Sequence, residues 1–124
     1  CNGRTYHHLV QHIDERPVYV FERAVASHPD STPPEDRVIP GDVRETLPAS
    51  VDRFGATASL IHEDLGGQNR EKNDEFARFL SPLIEPLLAQ GGLMVSSDRM
   101  YFDGLTEVPL TSGAVDGRCF IYRR

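Results

Sequence analysis

The chain has no block of lysine and arginine, and its formal net charge is −6 over 124 residues. Nucleic acids and anionic membranes attract clustered cations, so the composition argues against both as partners. Arg123-Arg124 at the end is two charges, not a patch. No stretch approaches the roughly 20 apolar residues that a membrane-spanning helix needs, and no signal peptide is visible in the residues present. Cysteine is scarce, with only Cys1 and Cys119. There is no C-x-x-C and no His/Cys cluster at zinc spacing, so no metal site is expected. Two isolated cysteines fit a reducing compartment better than a disulfide scaffold, and cytoplasmic is the default expectation.

The chain does have the length and the apolar fraction of one ordinary globular domain, expected to span residues 1–124. It opens on Cys1-Asn2-Gly3-Arg4-Thr5-Tyr6, a small, polar, glycine-containing stretch that runs straight into a helical pattern. Tyr6, Leu9, Val10 and Ile13 recur at i, i+3, i+4 and i+7, and Thr5 is placed to cap that helix. A glycine loop at a helix start gathers backbone N–H groups and the positive end of the helix dipole, which suits an anion or a carboxylate. A buried strand should precede such a loop. The chain begins inside the motif, so that first strand is expected ahead of Cys1.

Further along, strands are predicted at Val18–Phe21, Arg37–Pro40, Ala56–Ile61 and Leu93–Ser97. Two more are predicted at Val108–Leu110 and Cys119–Tyr122. The segment Ser27–Pro34 is too rich in proline for regular structure and should lie on the surface. A short helix should have Pro48 in its first turn and Gly55 as its stop. The strongest helical stripe is Phe76, Phe79, Leu80, Leu83, Ile84, Leu87 and Leu88, read as core. Pro82 and Pro86 predict a break near Ser81, and Gly91-Gly92 should end the helix.

Strands alternating with helices predict an α/β fold with a mainly parallel sheet. Ligands bind such sheets outside the carboxyl ends of the strands. Glu22, Asp42, Asp64 and Asp98 each fall at such an end. His62 sits beside them and is a candidate general base. The other reading of His62 is a histidine hydrogen-bonded under a loop. Glu22 is read as a ribose ligand or a solvated strand end, and Asp42 as an adenine contact or a helix cap. A divalent ion held by Asp64 and Asp98 is the least favoured reading, because two acids are too few. His7 and His8 are read as exposed helix residues. Tyr101 and Phe102 either line an acceptor pocket or cover the sheet edge.

Asn2-Gly3-Arg4-Thr5-Tyr6, Val20-Phe21-Glu22, Gly41-Asp42-Val43 and Leu87–Val95 together, in order and spacing, resemble a class I S-adenosylmethionine-dependent methyltransferase. More narrowly, the opening resembles a bacterial group with a G-x-G-N-G-R-T-Y first motif. The resemblance implies a Rossmann-like doubly wound sheet in the order 3-2-1-4-5-7-6, with an antiparallel last strand and the first strand missing from the chain. It implies S-adenosyl-L-methionine as cofactor, bound by Asn2, Gly3, Arg4, Thr5, Tyr6, Glu22, Arg23, Gly41, Asp42, Val43 and Asp64. The candidate catalytic residues are His62 and Asp64. The sequence departs from the family pattern at Cys1, which stands where a glycine is expected, and at the fourth strand end, which lacks an Asn-Pro-Pro-Tyr type motif. The acceptor is therefore expected to be a small molecule, and a homo-oligomer is among the states the sequence allows. The alternatives are a non-catalytic sensor or assembly domain of the same fold and, less favoured, an NAD-dependent dehydrogenase.

Overall fold

A computed structural model describes residues 4–24, 28–110 and 117–124. The chain divides into two compact units, residues 1–49 and 50–124.

In the first unit, helix α1 covers Arg4–His12. Its last turn is carried on by Ile13 N–H to the Leu9 carbonyl at 3.0 Å. Asp14 then takes a left-handed φ of 48°, a conformation that an α-helix cannot propagate. The expected apolar face is present but only part-covered: Tyr6, Leu9 and Ile13 are half-buried and Val10 is exposed. Thr5 does not cap the helix. A cap lies outside the helix with non-helical backbone, whereas Thr5 is the second helical residue. Strand β1, Val20–Glu22, pairs in parallel with β2, Val38–Pro40, in the register Val20↔Val38, Phe21↔Ile39 and Glu22↔Pro40. Both strands are shorter than expected. The proline-rich connection includes two 3-10 turns, Pro29–Ser31 and Glu35–Arg37, and it buries Pro33. Helix α2 follows at Val43–Ala49 with Leu47 buried. Pro48 therefore stands in its last turn, not its first.

The second unit opens with the short helix α3, Val51–Phe54, stopped at Gly55, whose N–H bonds the Val51 carbonyl at 2.7 Å. Strands β3 (Ala58–Glu63), β4 (Leu88–Ser96), β5 (Thr106–Val108) and β6 (Phe120–Arg123) form one sheet in the order β3-β4-β6-β5. β3 and β4 are parallel, and β6 runs antiparallel to both its neighbours. That order and the antiparallel last strand agree with the 4-5-7-6 part of the expected sheet. β3 reaches two residues further than expected, so His62 and Glu63 belong to the strand.

Helix α4, Arg70–Ile84, joins β3 to β4. Asn69 caps it, its side-chain oxygen accepting the Lys72 N–H at 3.0 Å. The helix passes through Pro82 and ends at Ile84, where Glu85-Pro86-Leu87 forms a 3-10 turn, so the break comes a few residues later than expected. The buried stripe also differs. It is Ala77, Leu80, Ser81 and Ile84, while Phe79 is 44% exposed. Ser81 can be buried because its hydroxyl donates to the Ala77 carbonyl at 2.7 Å and accepts the Tyr101 N–H at 2.8 Å. Gly91-Gly92 lies inside β4 and does not end the helix.

The core of this unit is Leu80, Ile84, Leu87, Leu88, Met94, Met100 and Tyr122. Burial raises the Tyr122 hydroxyl above its ordinary pKa. That hydroxyl accepts from the Met100 N–H at 2.9 Å and donates to the Met100 carbonyl at 3.3 Å.

The two readings of the α4 stripe differ in stability. Leu80 is 1% exposed, so Leu80→Ala should cost about 2–5 kcal/mol. Phe79→Ala loses chiefly the stacking with Phe76 and should cost under about 1.5 kcal/mol. Urea unfolding of both variants measures the contrast.

Candidate functional site

Parallel strands align their carboxyl ends, and most of the candidate site residues lie at or just past those ends. In the first unit, Glu22 closes β1 and is half-buried, and its Oε1 accepts the Arg23 N–H at 2.9 Å. Its carbonyl accepts the Gly41 N–H at 3.2 Å, tying the ends of β1 and β2 together. Gly41 has φ 133°, and a Cβ there would meet Thr46 Cγ2 at 3.0 Å, so a side chain is disfavoured on both counts.

Asp42 comes next. Its Oδ1 accepts the Arg44 N–H at 2.9 Å, and its carbonyl accepts from Glu45 and Thr46 at 3.0 and 2.9 Å. This is the helix-cap reading realised for α2, with Val43 as the first helical residue. The same carboxylate takes Arg23 Nη2 at 2.5 Å and Arg44 Nη1 at 3.4 Å. Glu22, Arg23, Gly41, Asp42 and Val43 are thus one cluster. Arg4, Thr5 and Tyr6 lie in the first turn of α1. Cys1, Asn2 and Gly3 fall outside the described residues.

In the second unit the strand ends are organised differently from the expectation. His62 is exposed inside β3 and alternates with Glu63, which is 6% exposed and closes the strand. Glu63 Oε2 accepts the Ser96 hydroxyl at 2.5 Å, and Oε1 accepts the Leu65 N–H at 2.7 Å. Ser96, itself 1% exposed, is the register partner of Glu63. Asp64 lies one residue past the strand and is exposed. Asp98 is engaged by an amide and, through its backbone N–H, by a hydroxyl. Its two carboxylate oxygens accept from Asn73 Nδ2 at 3.3 and 3.1 Å, and its N–H donates to Ser96 Oγ at 3.2 Å. Among the described residues, no group of three His, Cys, Asp or Glu side chains converges as a metal site would require.

Tyr101 faces α4. Its hydroxyl bonds Asp74, and Arg78 lies 3.7 Å over its ring. Phe102 meets Tyr122 edge-on at 5.0 Å. Sequence reasoning missed Glu63, Ser96 and Asn73. The period-2 alternation of β3, followed two residues further, would have placed Glu63 on the covered face.

The sequence profile of a family described as S-adenosyl-L-methionine methyltransferase matches residues 1–124. The 1.80 Å crystal structure of an S-adenosyl-L-methionine methyl transferase from Silicibacter pomeroyi DSS-3 is similar at 78% identity with a TM-score of 0.96, covering 99% of this chain and 76% of that one. No curated protein sequence matches the chain.

The Arg44 N–H, opposed by partial desolvation and assisted by Arg23, lowers the Asp42 pKa below its ordinary 3.8. A carboxyl depressed in this way adds stability above its unfolded value and loses it as pH falls through the lower folded value. Carbon-detected NMR titration should give Asp42 a midpoint below 3.8. Arg23→Ala should raise that midpoint without restoring it fully, because the backbone donor remains.

Proposed function

This chain belongs to the S-adenosyl-L-methionine methyltransferase family, and from that premise we propose that it moves the cofactor's methyl group to a small-molecule acceptor. It is a methyltransferase, and its cofactor is S-adenosyl-L-methionine. The observation that carries the assignment of residues is the cluster at the ends of β1 and β2. There a half-buried carboxylate stands beside a glycine whose backbone tolerates no side chain without strain. A ribose diol offers two hydroxyl donors to the two oxygens of one carboxylate, and the acceptor pair of Glu22 fits that group. We read Glu22 as the ribose ligand, and Gly41, Asp42 and Val43 as the wall beside the adenine. Arg23 holds Asp42 in place. Asn2, Gly3, Arg4, Thr5 and Tyr6 serve the methionine end, as in the G-x-G-N-G-R-T-Y motif. Both units belong to one cofactor-binding domain on this reading, supported by a family profile that spans them.

S-adenosylmethionine brings its own activation as a sulfonium. The residues of this chain have only to bind, orient, exclude water and accept a proton. His62 and Asp64 are our candidates for the group that takes the acceptor's proton. The acceptor class rests on charge: with a net −6, the chain is poorly suited to a polyanion. We also place the reaction in the cytoplasm, in keeping with two isolated cysteines and no C-x-x-C. Methyl label recovered in the small-molecule fraction of a cell extract supports this acceptor class, and label in nucleic acid overturns it.

The Glu22 assignment is tested by calorimetric titration of S-adenosylmethionine and of its demethylated product, which carry the same ribose. Hydrogen bonds to a charged group contribute about 1.5–3 kcal/mol each, so Glu22→Ala should weaken both ligands by about tenfold or more. Glu22→Gln keeps one acceptor and should lose less. Affinities within about twofold of the parent would make Glu22 a solvated strand end.

A further inference from the structure

The loop after β3 is exposed yet tied down. Asp64, Leu65, Gly66 and Gly67 all face solvent, with Leu65 at 46% exposure. Beneath them the backbone is fixed at three successive residues. The Leu65 N–H goes to Glu63 Oε1. A Cβ on Gly66 would collide with Asp98 Oδ2 and with Asn73 Nδ2, so the loop backbone lies directly on those side chains. Gly67 exchanges two hydrogen bonds with the Asn73 amide, its N–H donating to Oδ1 at 2.9 Å and its carbonyl accepting from Nδ2 at 3.0 Å.

Asn73 lies four residues before Ala77, on the line continued by Leu80, Ser81 and Ile84, so it extends the buried stripe of α4 toward the carboxyl end of the sheet. A primary amide there has two N–H groups and one carbonyl. One N–H serves the Gly67 carbonyl, the other is shared by the two oxygens of Asp98, and the carbonyl takes the Gly67 N–H. A single side chain thereby joins the loop after β3 to the segment after β4. Further down the helix the same segment is held by Asp74 and Arg78 on Tyr101, by Ser81 on the Tyr101 N–H, and by Glu85 on the Asp103 N–H at 3.2 Å. A loop whose backbone is fixed from below while its side chains face outward is built to present them.

We propose that Asn73 is a positioning residue for the methyl-transfer site: it fixes the Asp64–Gly67 loop against Asp98 so that Asp64 meets S-adenosylmethionine in one orientation. This rests on Asp64 being one of the cofactor's ligands, the role the family resemblance implies for it. Asn73 touches no substrate; it acts through the loop.

The test titrates S-adenosylhomocysteine into the parent, Asn73→Ala, Asn73→Asp, the exchanged pair Asn73→Asp with Asp98→Asn, and Asp64→Ala, alongside amide hydrogen exchange. Asn73→Ala should weaken the ligand by about fivefold or more and speed exchange at Leu65 and Gly67 by about tenfold. Exchange at Met94–Ser96 should not change. Asn73→Asp should be worse, because a carboxylate would then face Asp98 and the Gly67 carbonyl. The exchanged pair should regain part of the affinity, since an amide and a carboxylate face each other again with their roles reversed while the Gly67 carbonyl still lacks its donor. A purely structural role would lower the melting temperature of the set without that rescue. If Asp64→Ala weakens the ligand and Asn73→Ala stays within about twofold of the parent, the positioning role falls and the Asp64 reading stands. If Asp64→Ala leaves affinity unchanged, the Asp64 reading falls and takes this inference with it. Should Asn73→Ala fail to fold, equal affinity in Asn73→Asp and in the exchanged pair overturns the proposal.

Discussion

The parallel pairing of β3 with β4 is the constraint from which the second unit follows. Its register begins with Ala58 opposite Leu88 and resumes with Leu60 opposite Leu93. Two steps on one strand thus match five on the other, and the excess is taken up at Gly91 and Gly92. Gly91 has φ 77°, and a Cβ on Gly92 would lie 2.9 Å from the carbonyls of Ala58 and Ala89. Only glycines let β4 bulge this tightly and still pair. The bulge is then stitched from the far side, where Arg124 accepts the Gly91 N–H at 2.9 Å and donates to the Gly92 carbonyl at 3.1 Å. Its guanidinium also reaches the carbonyls of Glu85 and Leu88. Past the bulge the register is regular, and it sets Glu63 directly opposite Ser96.

One device recurs at three strand ends. The carboxylate of Glu22 accepts the N–H of the next residue, while those of Asp42 and Glu63 accept the N–H two residues on. Each bond turns the chain away from the sheet, and at Asp42 and Glu63 a second, distant side chain, Arg23 or Ser96, holds the same carboxylate. For a methyl transfer this matters, because no covalent nucleophile has to be generated. A cofactor that carries its own activation leaves the protein the work of orientation, and orientation is what short, local hydrogen bonds supply.

Much of this was legible in the residues themselves. Gly41-Asp42 before a helical pattern marks both the strand end and the cap, since glycine and aspartate each have one strong reason to stand there. Apolar runs bounded by breakers overlap each of the six strands among the described residues, though Val108–Leu110 shares only Val108 with β5 and Leu93–Ser97 misses the first five residues of β4. The antiparallel tail followed from the resemblance. Boundaries were harder. Pro48 and Pro82 were read as helix starts and breaks, but a proline removes one backbone bond and can be carried where the flanking turns hold. Glycine pairs have the same ambiguity. Gly91-Gly92 reads as a helix stop from sequence and is a bulge in the fold, because only the partner strand decides which.

The expected stripe of α4 holds at Leu80, Ile84, Leu87 and Leu88 and fails at Phe79, and the cause of that failure is specific. A hydrophobic stripe is found by counting large apolar side chains, which favoured Phe76, Phe79 and Leu83 over Ala77 and Ser81. Burial follows space and hydrogen bonding instead. A small alanine allows the helix to approach the sheet, and a serine is admitted beside it because its hydroxyl is fully used. Rotating the stripe to Ala77, Leu80, Ser81 and Ile84 also rotates Asn73 inward, onto Gly67 and Asp98. The packing of the core thereby determines which polar residue reaches the strand ends. A helix that buried Phe79 instead would turn Asn73 away from the loop it holds, so the small residues of the stripe shape the site as much as the acids do.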